Sequence, residues 1–261
     1  MTLLLAAICA PLTAWQAPDV DAIVKRSLER EMRNVRALDD YTYEIADKTI
    51  TYDRSGQPKK TETKVVEVLQ IDGTRYRKVV AEDGKPLTGD RARREQAKLD
   101  KELARRRGES EREREKRRRD EQKQREEMRL VREDVARGFA FRLVGEEAVA
   151  GVPCWRVHAE PKKFAPRSDI GKRALPKMHG DFWIAKTTYE WLRVEADTLD
   201  TIRFGGFLAS LAKGATFRME QTQVAPDLWH PRKIELRVNA RALVMSFNVG
   251  QEMEFRNFRK F

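Results

Sequence analysis

The chain is poor in the residues that most often carry chemistry. Its 261 residues include two cysteines and three histidines. Cys9 lies in an apolar N-terminal run that is expected to be removed, which leaves Cys154 without a disulfide partner. Set between Pro153 and Trp155 in an apolar stretch, Cys154 reads as a small buried hydrophobe. His158, His179 and His230 are widely separated, and none has the spacing of a helical metal pair. There is no glycine-rich phosphate loop, nucleophile elbow or cysteine pair; Gly205-Gly206 and Lys213-Gly214 lack the strand-loop-helix pattern that phosphate loops need. The sequence therefore predicts a protein that is not an enzyme, with no catalytic residue, no metal and no cofactor. Beyond the N-terminus no run of 18 apolar residues occurs, which excludes a membrane-spanning helix in the mature chain.

The opening MTLLLAAICAPLTAWQA carries no charge and is rich in Leu and Ala. It reads as a secretory signal over residues 1–17, cleaved near Ala14 or Ala17, and so predicts an exported, periplasmic protein.

The most unusual stretch, RRRGESEREREKRRRDEQKQREE from Arg105 to Glu127, has no aliphatic or aromatic side chain. Residues 88–137 hold 19 basic and 14 acidic side chains, so this segment supplies about five of the eleven net positive charges. Helical apolar spacing survives on its flanks, at Ala92, Leu99 and Leu103 and again at Met128, Val131 and Val135. That pattern predicts a helical hairpin turning near Gly108, its flanks packed on each other or on the sheet and its middle in water. Glu102/Arg106, Glu113/Arg117, Glu115/Arg119 and Glu121/Arg125 place an acid four residues before a base, each pair worth about 0.2–0.5 kcal/mol to a helix. Pairing of this kind consumes the basic groups locally. Nucleic acid binding needs unpaired cations, and single strands need exposed aromatics to stack on, so nucleic acid is not the expected partner.

Either side of this segment the pattern changes. From Asp19 to Asp40, Val20, Ile23, Val24, Leu28, Met32, Val35 and Leu38 recur at helical spacing, with Asp19 placed to cap an amphipathic helix. Tyr41, Tyr43 and Ile45 then alternate as in a strand, Asp72-Gly73 and Ala150-Gly151 are turn signals, and alternation continues to the C-terminus. The last two strands are the clearest. Ile234, Leu236, Val238 and Ala240 share one parity, as do Leu243, Met245, Phe247, Val249, Met253 and Phe255, with Gln251 breaking the run. The expected fold is mainly β (α+β): an incomplete antiparallel barrel of about 10–11 strands. The expected segments are helix and first strands over 18–87, the charged insertion over 88–137, and the remaining strands of the same β-domain over 138–261.

The order of elements resembles the LolA-like family of periplasmic lipoprotein carriers, outer-membrane lipoprotein receptors and envelope-stress regulators. The resemblance rests on the helix leading into Tyr41-Thr-Tyr, on Gly180-Asp-Phe-Trp183-Ile184 followed by Tyr189 and Arg193-Val-Glu195, on Leu228-Trp229-His-Pro231, and on the final strands ending in Phe255 to Phe258. It covers most of residues 18–87 and 139–261. Ala185 stands where the family often has an acidic or amide residue, and the insertion is foreign to the carriers. The resemblance implies a concave face, partly plugged by helices, that receives lipid or lipoprotein acyl chains. Phe204, Phe217, Met219, Ile234, Leu236, Val238, Met245, Phe247, Met253 and Phe255 are the candidate lining residues. The same alternation also describes a filled core. In that case the chain is a non-enzymatic envelope sensor or scaffold whose insertion docks a partner protein.

Overall fold

The computed structural model describes residues 18–204, 209–226, 228–242 and 245–261. The segment expected to be a secretory signal and Cys9 lie outside the described residues. Helix α1 (Val20–Ala37) starts where Asp19 caps it, the Ala22 N–H donating to the Asp19 carboxylate at 3.1 Å. Strands β1 (Tyr41–Tyr52), β2 (Pro58–Ile71), β3 (Thr74–Glu82) and the two-residue β4 (Lys85–Pro86) follow as a meander. At the β2–β3 turn Asp72 and Gly73 both take positive φ, 48° and 78°, the backbone a two-residue hairpin of matching twist requires.

Helices α2 (Gly89–Arg107) and α3 (Glu111–Gly138) make up the insertion, with α4 (Asp169–Ala174) further on. The remaining strands are β5 (Phe139–Val149), β6 (Val152–Pro161), β7 (Met178–Ala185), β8 (Trp191–Thr198), β9 (Ile202–Phe204), β10 (Ala209–Leu211), β11 (Thr216–Ala225), β12 (Leu228–Ala242) and β13 (Met245–Lys260). They form one antiparallel sheet in the order β4-β3-β2-β1-β13-β12-β11-β8-β7-β6-β5, with β9 and β10 paired at the side of β12. The sheet does not close into a barrel. The mainly β architecture is as expected. The thirteen strands among the described residues exceed the expected 10–11 because pieces as short as β4 and β10 leave no alternation to read.

The insertion is helical, turns at Gly108 and leaves its polar middle exposed, as expected, while its two flanks take different partners. It joins β4 to β5, the two opposite edges of the sheet. Helix α2 packs along β3, burying Leu99, while α3 packs on α1 and α4 instead of lying along α2. A helix of 28 residues spans about 42 Å. Its start is fixed by a capping box, in which Ser110 accepts from the Glu113 N–H and Glu113 accepts from the Ser110 N–H. This overturns the expected Glu113/Arg117 pair. Arg117 instead bonds Glu109 at 2.9 Å and Glu121 at 3.3 Å, and Arg125 bonds Asp39 at 3.1 Å. The Glu102/Arg106 and Glu115/Arg119 pairs form as predicted. The far end is anchored by Asp134, fully buried, which accepts from the Arg167 N–H at 2.9 Å, the Ser168 N–H at 2.8 Å and the Ser168 hydroxyl at 2.5 Å. Burial pushes its pKa up, yet these donors outweigh burial and hold it below the usual value.

Candidate functional site

The register decides which side chains share a face, because residues directly opposite in a ladder point the same way. Phe217 stands opposite Leu236, and Met219 opposite Ile234. Ile234 in turn stands opposite Met253, Val238 opposite Val249, and Ala240 opposite Phe247. Phe255 stands opposite Ile45. The structure therefore brings Phe217, Met219, Ile234, Leu236, Val238, Phe247, Met253 and Phe255 onto one face of β11–β13, the face on which α1 lies further along the sheet. The backbone of Phe204 ends β9 and that of Met245 begins β13; their side chains lie outside the described residues.

Two parts of this face differ. Where α1 crosses β5–β8, Ile23, Val24 and Leu28 press on Val157 and Ile184, which are 0% and 1% exposed. Beside it, Leu38 closes over Tyr43, Ile45, Val66, Val68 and Leu228, with Met253 and Phe255 packed partly against them. Phe217, Met219, Ile234, Leu236, Val238 and Phe247 belong to none of the core clusters formed among the described residues. Five of these six are half-buried and Phe247 is 38% exposed. Gln251, the residue that broke the apolar parity, donates to Asp47 at 3.0 Å, so the polar intrusion on this face is a hydrogen-bonded pair.

Along β12 the filled end is marked by His230. Its ring meets Phe255 at 4.9 Å, Phe258 at 5.1 Å and Tyr43 at 5.5 Å. Burial lowers its pKa to about 4, so the ring is neutral at pH 7.

Two clefts among the described residues, of about 240 and 440 Å³, lie elsewhere and are polar. They sit between α1 and the 186–190 turn, where Arg30 bonds the buried Glu190 at 3.0 Å and Asn34 donates to it at 2.7 Å. Burial raises the Glu190 pKa against these partners. The arrangement tethers α1 to the sheet, and Asn34 also accepts from the Trp229 N–H at 3.2 Å. Sequence reasoning missed this tether because its members are 156 to 195 residues apart.

The opposite face of the sheet is mixed: around a small buried cluster of Val149, Cys154, Trp183, Ala185 and Leu192, Arg156 and Arg193 lie 5.0 and 5.3 Å from the Trp183 ring, and the indole N–H donates to Glu147. One row along, His158 faces Asp181 through Nδ1 at 2.5 Å and Glu160 through Nε2 at 2.9 Å. His179 Nδ1 lies 3.8 Å from Glu160. His158, Glu160 and His179 each offer one ligand atom, all within 4.8 Å of one another. No local spacing announces this group, since it assembles across the β6–β7 ladder. The readable signal is a His-x-Glu and a His-x-Asp on consecutive strands. Cys154 is fully buried on the sheet, and burial pushes its thiol pKa up, as a structural residue's would be.

No protein-family model and no curated protein matches the chain. Solved structures are similar to it over nearly its whole length. A domain from Vibrio parahaemolyticus named for outer membrane lipoprotein sorting is 11% identical, with 93% of each chain covered and a TM-score of 0.38. A LolA superfamily protein from Nitrosomonas europaea is 10% identical, with 94% of each chain covered and a TM-score of 0.35. A chain of the MucA/MucB complex of Pseudomonas aeruginosa is 13% identical, covering 93% of this chain and 99% of that one, with a TM-score of 0.25. At these scores the backbones diverge too far for the neighbours to say what this chain binds.

Proposed function

We propose that the uncovered apolar face of β11–β13 binds the acyl chains of a lipid or lipoprotein, and that the protein is an exported, non-enzymatic carrier or sorting factor of the cell envelope. The observation that supports this reading is that Phe217, Met219, Ile234, Leu236 and Val238 are only partly buried, and Phe247 is exposed, on one continuous face. A contiguous apolar surface left open to water costs roughly 25 cal/mol for each Å² not buried, and such patches mark interaction sites. The chemistry suits an acyl chain. The face is aliphatic and aromatic, its Met219 and Met253 side chains adapt to irregular ligands, and its polar pair, Asp47 and Gln251, is already satisfied. A lipid chain needs contact area and no further hydrogen bonds.

The test is native mass spectrometry of the chain purified from a bacterial periplasm. A retained mass that matches a lipid, removed by organic extraction and restored by incubation with phospholipid, supports the reading. A bare polypeptide mass that no phospholipid or fatty acid shifts moves the protein to the scaffold reading, in which the insertion docks a partner protein.

A further inference from the structure

We propose that His158, Glu160 and His179 on the mixed face form a binding site for a divalent transition metal of the Zn²⁺ class, with Asp181 as its outer-shell partner. The site is separate from the acyl-binding face, on the other side of the sheet, and stands whether or not that face binds lipid.

Three features of the geometry point to it. First, the ligand set is two imidazoles and one carboxylate, the donor chemistry of zinc sites with an open position, and unlike the all-oxygen shells of Ca²⁺ and Mg²⁺. Second, the spacing fits. Ligands about 2.0–2.1 Å from a tetrahedral ion stand roughly 3.4 Å from one another. Here Glu160 Oε1 lies 2.9 Å from His158 Nε2 and 3.8 Å from His179 Nδ1, on either side of that value. Third, the supporting shell is in place. Asp181 Oδ1 holds His158 Nδ1 at 2.5 Å, which assigns the proton to Nδ1 when the ring ligates and turns the Nε2 lone pair toward the other two ligands. Asp181 is itself fixed by the Arg156 guanidinium at 2.6 Å.

The backbone makes the arrangement stiff. His158 and Glu160 share one face of β6, two residues apart, and His179 and Asp181 share the same face of β7. His158 is registered opposite Asp181, and Ala159 opposite Gly180, which sets Glu160 across from His179. The four side chains therefore form a two-by-two array on paired strands, without a loop that must order on binding. Glu160 and His179 are 55% and 32% exposed, so an ion reaches the site from solvent and keeps a coordination position open to water or an outside ligand. Arg142, registered opposite His158 on β5, and Arg156, paired with Asp181, are nearby cations that oppose the ion.

The experiment is calorimetric titration of the full chain, stripped with EDTA, with Zn²⁺ at about neutral pH, beside His179→Gln and Glu160→Gln. The expected result is saturable binding of one Zn²⁺ per chain at micromolar concentration, weakened at least about tenfold by either substitution. Melting without metal should differ by no more than a few degrees among the three proteins, because Glu160 is exposed and His179 only half-buried. EDTA should reverse any rise in melting temperature that Zn²⁺ causes. Absence of saturable one-to-one binding in the wild type, or wild-type affinity in either variant, overturns the site.

Discussion

The part of the sheet face beneath α1 and the part left open over β11–β13 are written in the same alternation of apolar and polar residues, yet they end in different states. Val157 and Ile184 are sealed under Ile23, Val24 and Leu28. Phe217, Leu236 and Val238 are as apolar, but no core cluster among the described residues includes them. Alternation tells which residues share a face. Whether that face becomes core or surface depends on where a helix is tethered, here by Arg30 and Asn34 on Glu190, and on which edges the insertion ties together.

The comparison can be broken most forcefully in the covered part. Val157→Asp places a charge where no water reaches, and the expected loss is on the order of 4 kcal/mol or more, enough to abolish cooperative unfolding in a thermal melt. Asp134→Ala tests the anchor that holds the insertion across the sheet. It leaves the Arg167 and Ser168 N–H groups unpaired, and urea denaturation should show a loss of about 3 kcal/mol.

His230 marks the filled end of β12 and makes that end pH-sensitive. Below pH 6.5 the unfolded chain takes up a proton that the native ring refuses until about pH 4. This group's contribution to stability therefore falls as pH drops from about 6.5 to 4 and then levels off, a change of about 3 kcal/mol. Denaturant melts of wild type and His230→Phe across that range should diverge by this amount, with the wild type losing more. Parallel curves would mean that the ring is solvated. In the uncovered part, Phe217→Ala should cost no more than about 1 kcal/mol, against about 3–5 for a filled core.

Much of this was legible in the sequence. The α1 cap at Asp19, the turn at Asp72-Gly73, the helical insertion and the common face of the eight candidate lining residues whose side chains are described all follow from local spacing. What was not legible is long-range. The path of α3 depends on contacts such as Arg125 with Asp39 and Arg132 with Glu31, and charge spacing within a helix cannot name partners on other elements. The capping box that diverts Glu113 from Arg117 was written in the sequence as Ser110-x-x-Glu113, but the regular Glu/Arg spacing masked it. The His158, Glu160 and His179 group was hidden in another way, because it depends on the register of two strands and not on separation along the chain.

The most direct test of the open face is Leu236→Asp, read by melting temperature and by titration with a fluorescent fatty acid. An open acyl-binding surface lets water reach the new carboxylate, so the melting temperature should stay within a few degrees of wild type while probe affinity falls at least about tenfold. A mutant that melts far below wild type would show that Leu236 is core, and one that melts and binds as wild type does would show that the acyl chain does not lie there.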